Sequence, residues 1–315
     1  MRVSPLFIAA QLYLFTSTVA YIVSSISIPK PWAQFESNIR QYGRKFAISV
    51  MTTDASMITD IQDAIQNGPV PSQDRKYLIN GWRWHTLSVI RDLARFRVIV
   101  ANAKLTSDID TRRDRIQQIV KCQEFVCGFN WQGLMKIERD IFFPWLEVLL
   151  PDRATPLIRD IRAEHKEIEN LCIRMAEESQ RMVIENNAQD ADRSQQYSSR
   201  LQTMDDLISQ MTNSVRKIQG AQETIFVPYV ASYVTSKEQE VFNRKVIRKL
   251  GLIDSQVHLV SMADALKEDR PQELPTFQAQ IPRVAQLMIP VWRKRLYAPK
   301  AACLDPINTS AIPGV

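Results

Sequence analysis

From about residue 76 onward, apolar residues recur at intervals of three and four, the spacing that places side chains on one face of a helix. Four long helices are predicted, over residues 76–104, 115–150, 153–186 and 198–235. The first carries the stripe Leu78, Trp82, His85, Val89, Asp92, Phe96, Ile99. The second carries Val120, Glu124, Cys127, Trp131, Leu134, Glu138, Ile141, Trp145, Val148. The third reads Ile158, Ile161, His165, Ile168, Cys172, Met175. The fourth reads Leu201, Met204, Ile208, Met211, Val215, Ile218, Gln222, Ile225, Tyr229. Rods with one apolar face and short links bury those faces against one another, which predicts an all-α fold: an up-down-up-down four-helix bundle over residues 76–262.

The flanks have a different pattern. No charge occurs between Arg2 and Lys30, and Leu6 to Ile28 is long enough to span a bilayer. Residues 1–30 therefore read as a transmembrane anchor or a signal segment, with Thr18-Val19-Ala20 resembling a cleavage site. An uncleaved anchor followed by Lys30, Arg40, Arg44 and Lys45 leaves the bundle cytoplasmic. Cleavage instead implies a secretory or organellar route. Residues 31–75 form a linker with turn signals at Gly68-Pro69 and a short helix. From Lys267 to the end there are seven prolines, so residues 263–315 are expected to be an irregular tail with one short helix. Its Arg293-Lys294-Arg295 run, beside Trp292 and Tyr297, suits either a membrane surface or a solvated helix end. His258, beyond the fourth predicted helix, is expected at the surface.

Composition narrows the function. Only 8 of 315 residues are glycine, and no Walker, Rossmann, HExxH or nucleophile–base pattern occurs, so chemistry independent of metal is not expected. The net charge of +6 comes from 40 basic and 34 acidic residues that are mostly interspersed, and no basic stripe through the centre suggests nucleic acid. The four cysteines form no CxxC pair. The expected partners are a membrane and an unidentified protein.

The informative residues are the polar ones inside the stripes. His85, Glu138, His165 and Gln222 fall at similar depths of an up-down-up-down bundle, within about 6 Å at 1.5 Å per residue. Buried unpaired, such groups cost on the order of 1–3 kcal/mol each, so they must bond to one another or ligate a cation. Glu138-Arg-Asp-Ile-Phe-Phe-Pro144 also recurs as Gln222-Glu-Thr-Ile-Phe-Val-Pro228, which suggests two similar helix pairs.

These segments resemble the hemerythrin-like (HHE cation-binding) family. Trp84-His85 to Arg91 is similar to its first-helix histidine segment, and Ala163-Glu164-His165 to Ile168 is similar to its third. Glu138 to Leu146 and Gln222 to Pro228 look like its second and fourth acidic segments. The resemblance implies a four-helix bundle holding non-haem iron, usually as a di-iron pair. Leu134 and Ile218 stand where the family carries two further histidines, and Gln222 stands in place of a carboxylate. What survives as candidate metal ligands is His85, Glu138 and His165, with Gln222 in the same layer. The expected cofactor is none or a single non-haem iron. The resemblance implies a degenerate cation-binding domain serving as a membrane-attached binding or structural module. The alternative is a mononuclear non-haem iron protein that senses, binds or activates oxygen.

Overall fold

The computed structural model describes residues 67–105, 109–187, 193–250 and 252–305. Among these, regular structure is helical throughout and no strand occurs. The apolar segment 6–28 and most of the 31–75 linker lie outside the described residues. Among the described residues no helix is long and apolar enough to cross a membrane.

Helix α1 spans Gly81–Lys104. A second rod begins as α2, Ile109–Gln123, and widens into a π-helical stretch, Glu124–Trp131. It continues as α3, Gln132–Ile137, widens again at Glu138–Phe142 and ends as α4, Phe143–Leu149. Helices α5, Pro151–Asn187, and α6, Arg193–Tyr233, follow. Helix α1 packs against α2 and α6, and α5 packs against the same two, so each rod lies against two others. The predicted stripes of α5 and α6 are buried along their whole length, as is that of α1 from Trp82 onward.

The second rod departs from its expected stripe at both ends. Val120 is only half-buried, Glu124 is exposed and Val148 is 66% exposed. Ile119, Cys122 and Val126 are buried at one end, and Phe142, Phe143, Leu146 and Leu149 at the other. The two π stretches explain both shifts. Each inserts residues beyond the α-helical count, so the face beyond it turns by about 100° for every extra residue. The second stretch also has a local cause. Pro144 lacks an N–H, and its ring would collide with the carbonyl four residues back, and widening the turn at Glu138–Phe142 relieves that collision.

Beyond α6 come α7, Ser236–Leu250, and α8, Leu252–Asp269, which packs along α1. Helix α8 runs unbroken through residue 262, where the bundle was expected to end. The segment expected to be an irregular tail is built of short helices: α9, Leu274–Gln280; α10, Arg283–Trp292; a π turn, Arg293–Tyr297; and α11, Ala298–Ala301. Its prolines were read as breakers, yet Pro271, Pro275 and Pro299 sit in first turns and Pro282 precedes α10. In a first turn the missing N–H has no intrahelical partner to lose, so proline opens a helix there. The segment is docked through Phe277 and Ile281, which pack with Trp84, Leu87, Met262 and Leu266. The Trp84 indole N–H donates to Glu273 Oε2 at 2.9 Å, tying the start of the tail to α1.

Candidate functional site

Glu138 opens the second π stretch and is buried, as are His165 on α5 and Gln222 on α6. Gln222 Nε2 donates to Glu138 Oε1 at 2.9 Å. His165 Nε2 lies 2.8 Å from Glu138 Oε2, but the contact lacks hydrogen-bond alignment, leaving both atoms without a directed partner. The distance shows proximity, and the misalignment shows that the contact is not a good hydrogen bond. Gln222 Oε1 is likewise buried without a partner. The His165 ring is walled by Phe143 at 5.7 Å and by the edge of Trp131 at 5.4 Å.

The two repeated segments meet at matching positions. Glu138 bonds Gln222, and four residues on, Phe142 meets Phe226 edge-to-face with ring centres 5.7 Å apart. Leu134 and Ile218, one turn before the polar pair, are both buried and apolar.

His85 is buried at the same level of sequence, but its hydrogen bond runs elsewhere. Its Nε2 is 2.9 Å from Asn130 Oδ1. Asn130 Nδ2 donates to Asp92 Oδ2 at 2.8 Å, and Arg91 donates to the other oxygen of Asp92 from Nε and Nη2 at 3.0 and 2.8 Å. Arg91 Nη2 also donates to the Tyr297 hydroxyl at 2.6 Å, which brings the tail into the network. The charge on Asp92 fixes the protons. An anionic carboxylate needs the amide N–H2 of Asn130, so Oδ1 faces His85 and the imidazole carries its proton on Nε2.

Burial raises the Asp92 carboxyl above its ordinary pKa, against the opposing pull of Arg91. Burial is the largest single influence on the Arg91 guanidinium and works against its charge, but Asp92, through its charge and its hydrogen bonds, together with Tyr297 and Glu268, outweighs it and the pKa of Arg91 rises. Burial lowers His85 to about 4, despite the Asn130 bond and the charge of Glu138. The ring is therefore neutral at neutral pH.

His258, expected at the surface, is buried: α8 lays it on His85 with ring centres 4.3 Å apart. Phe129 stacks on the same ring at 4.5 Å, nearly parallel. Burial, with His85 and Lys300 nearby, pushes His258 well below its ordinary value. Gly133 makes room for this ring, since a Cβ there would lie 2.5 Å from His258 Nε2.

Sequence periodicity missed Asn130 and His258. Asn130 lies inside the first π stretch, three residues after Cys127 and four before Leu134, where the predicted stripe takes its neighbour Trp131 instead, and His258 lies on a helix outside the four predicted ones. Asp92 did appear in the predicted stripe of the first helix.

The donor set does not fit the expected metals. Among the described residues no three His, Cys, Asp or Glu side chains come together as a cation site. Glu138 and His165 are adjacent, but His85 is committed to Asn130, so no set of two histidines and a carboxylate is assembled, and a di-iron pair has fewer donors still. Comparison with known proteins adds no relative: no family model, no curated protein and no solved structure matches the chain.

Proposed function

We propose that this chain is a hemerythrin-like module in which the cation layer has become a metal-free polar layer of the core, serving as a binding or structural element rather than as an oxygen carrier or enzyme. The observation that carries the reading is the pairing of Glu138 with Gln222 at matching positions of the repeat. An amide donating to a carboxylate neutralises part of its need for a partner without a cation. Buried Leu134 and Ile218 support the same conversion of site into core. The mutual packing of α1, α2, α5 and α6 and the short links between successive rods support the up-down-up-down arrangement. Attachment to a membrane through residues 6–28 belongs to this reading.

Elemental analysis of the full chain, purified anaerobically with ferrous iron supplied, tests the proposal. No metal above background is the expected result. Stoichiometric iron that disappears in His165→Ala would overturn it in favour of a mononuclear iron protein that senses, binds or activates oxygen.

A further inference from the structure

Helix α10 is held from one side only. Ala285 is buried and Ile289 packs against the cluster around Trp84 and Phe277. Arg293 Nε donates to Asp264 Oδ1 at 3.1 Å, and the Tyr297 hydroxyl accepts from Arg91. These contacts fix which way the helix faces. Val284, Leu287 and Val291 point outward, 66%, 78% and 39% exposed. At about 100° per residue they lie within an arc of roughly 60°. Other exposed large apolar residues, such as Val98, Leu105, Val148 and Ile173, are spread over three other rods.

Charge accompanies the stripe. Between Glu273 and Asp305 the chain has five basic residues and no acidic one. Arg293 is paired with Asp264, and Lys300 lies over the Phe129 ring at 4.4 Å. Arg283, Lys294 and Arg295 are exposed, at the two ends of the outward stripe. Half-buried Trp292 closes α10 about 100° around the helix from Val291, on the side of buried Ala285.

We infer that the outward face of α10 and its following π turn is a docking surface for an anionic lipid bilayer. A single-helix face with apolar residues along its middle, basic residues at its ends and no acidic residue of its own between 274 and 304 matches a headgroup region, where the apolar side chains enter the acyl boundary and the cations meet phosphate and carboxylate. A protein groove that takes one helix face is the competing occupant, and five basic residues with no acidic one between 274 and 304 favour the anionic bilayer over it. The inference does not depend on the polar layer and is tested by a different measurement.

The full chain is mixed with phosphatidylcholine vesicles and with the same vesicles containing phosphatidylserine. Flotation measures binding, and hydrogen–deuterium exchange reports on residues 283–297. The expected result is protection of 283–297 on the anionic vesicles alone. Both Leu287→Asp and the pair Lys294→Glu with Arg295→Glu should reduce the protection of 283–297 on anionic vesicles by about tenfold or more, whatever residues 6–28 contribute to flotation, with far-UV circular dichroism unchanged. All these positions are exposed, so folding is not at stake; Lys294→Gln with Arg295→Gln repeats the charge test more mildly. Binding indifferent to headgroup charge with 283–297 unprotected would assign all membrane contact to residues 6–28 and overturn the inference. Protection by an acidic peptide and not by vesicles would also overturn it, in favour of a protein partner.

Discussion

His85 Nε2 and Asn130 Oδ1 are 2.9 Å apart, and that bond commits the imidazole to a different network from the one around Glu138. The two networks share the helical core but use different elements. One joins α5, α6 and the second π stretch. The other joins α1, the first π stretch and, through Arg91 and Tyr297, the C-terminal segment. Asn130 is the only link between His85 and Asp92 in this chain of bonds, which makes it the position to perturb.

Asn130→Leu leaves the His85 N–H and one oxygen of Asp92 buried without partners. At about 1–3 kcal/mol for each of the two orphaned groups, the variant should lose roughly 2–6 kcal/mol of stability. Urea unfolding followed by circular dichroism reads this directly. A loss under about 0.5 kcal/mol, the range of ordinary surface substitutions, would mean that the relay contributes nothing.

Gly133→Ala sets two effects against each other. In an open helical position the change gains up to about 1 kcal/mol. Here the new methyl meets His258 Nε2 and Cε1 at 2.5 and 2.6 Å, and the ring is wedged between Phe129 and His85. Overpacking of this kind costs about 1–3 kcal/mol, so the net effect should be destabilising. Gly128 has open space around the same construction, so Gly128→Ala should move the unfolding midpoint the other way. The opposite signs of the two substitutions are the observable.

Acid should loosen the fold through the two buried, adjacent histidines. His85 falls from 6.5 to about 4 on burial, so between those values the unfolded chain binds the proton and the folded chain does not. Stability is then full above the unfolded value and is lost as pH falls through the window, by roughly 2 kcal/mol between about pH 7 and pH 5. His258, shifted in the same direction, adds to the loss. Unfolding free energies of the parent and of His85→Leu at several pH values test this. The slope should flatten in the variant, and an unchanged slope would refute the assignment.

Much of the helical framework was legible because burial and periodicity are local. The stripes containing His165 and Gln222 were read correctly from spacing, since α5 and α6 keep α-helical register through both residues. The repeat was legible for the same reason, and its matching residues, Glu138 with Gln222 and Phe142 with Phe226, meet in space. The second rod was read correctly from Cys127 to Glu138 and misread on either side, where the π stretches change the register.

By itself, then, the sequence determined that the chain is helical, which faces of its long helices are apolar, and that Glu138, His165 and Gln222 lie in the core. Only the tertiary structure decided that His85 turns to Asn130, that His258 is buried against it, and that a proline-rich segment folds as short helices against α1 and α8. The reason is physical. A stripe is set by neighbours three and four positions apart, whereas these three outcomes depend on contacts between residues 45 to more than 200 positions apart, as for His85 with Asn130 and Arg91 with Tyr297.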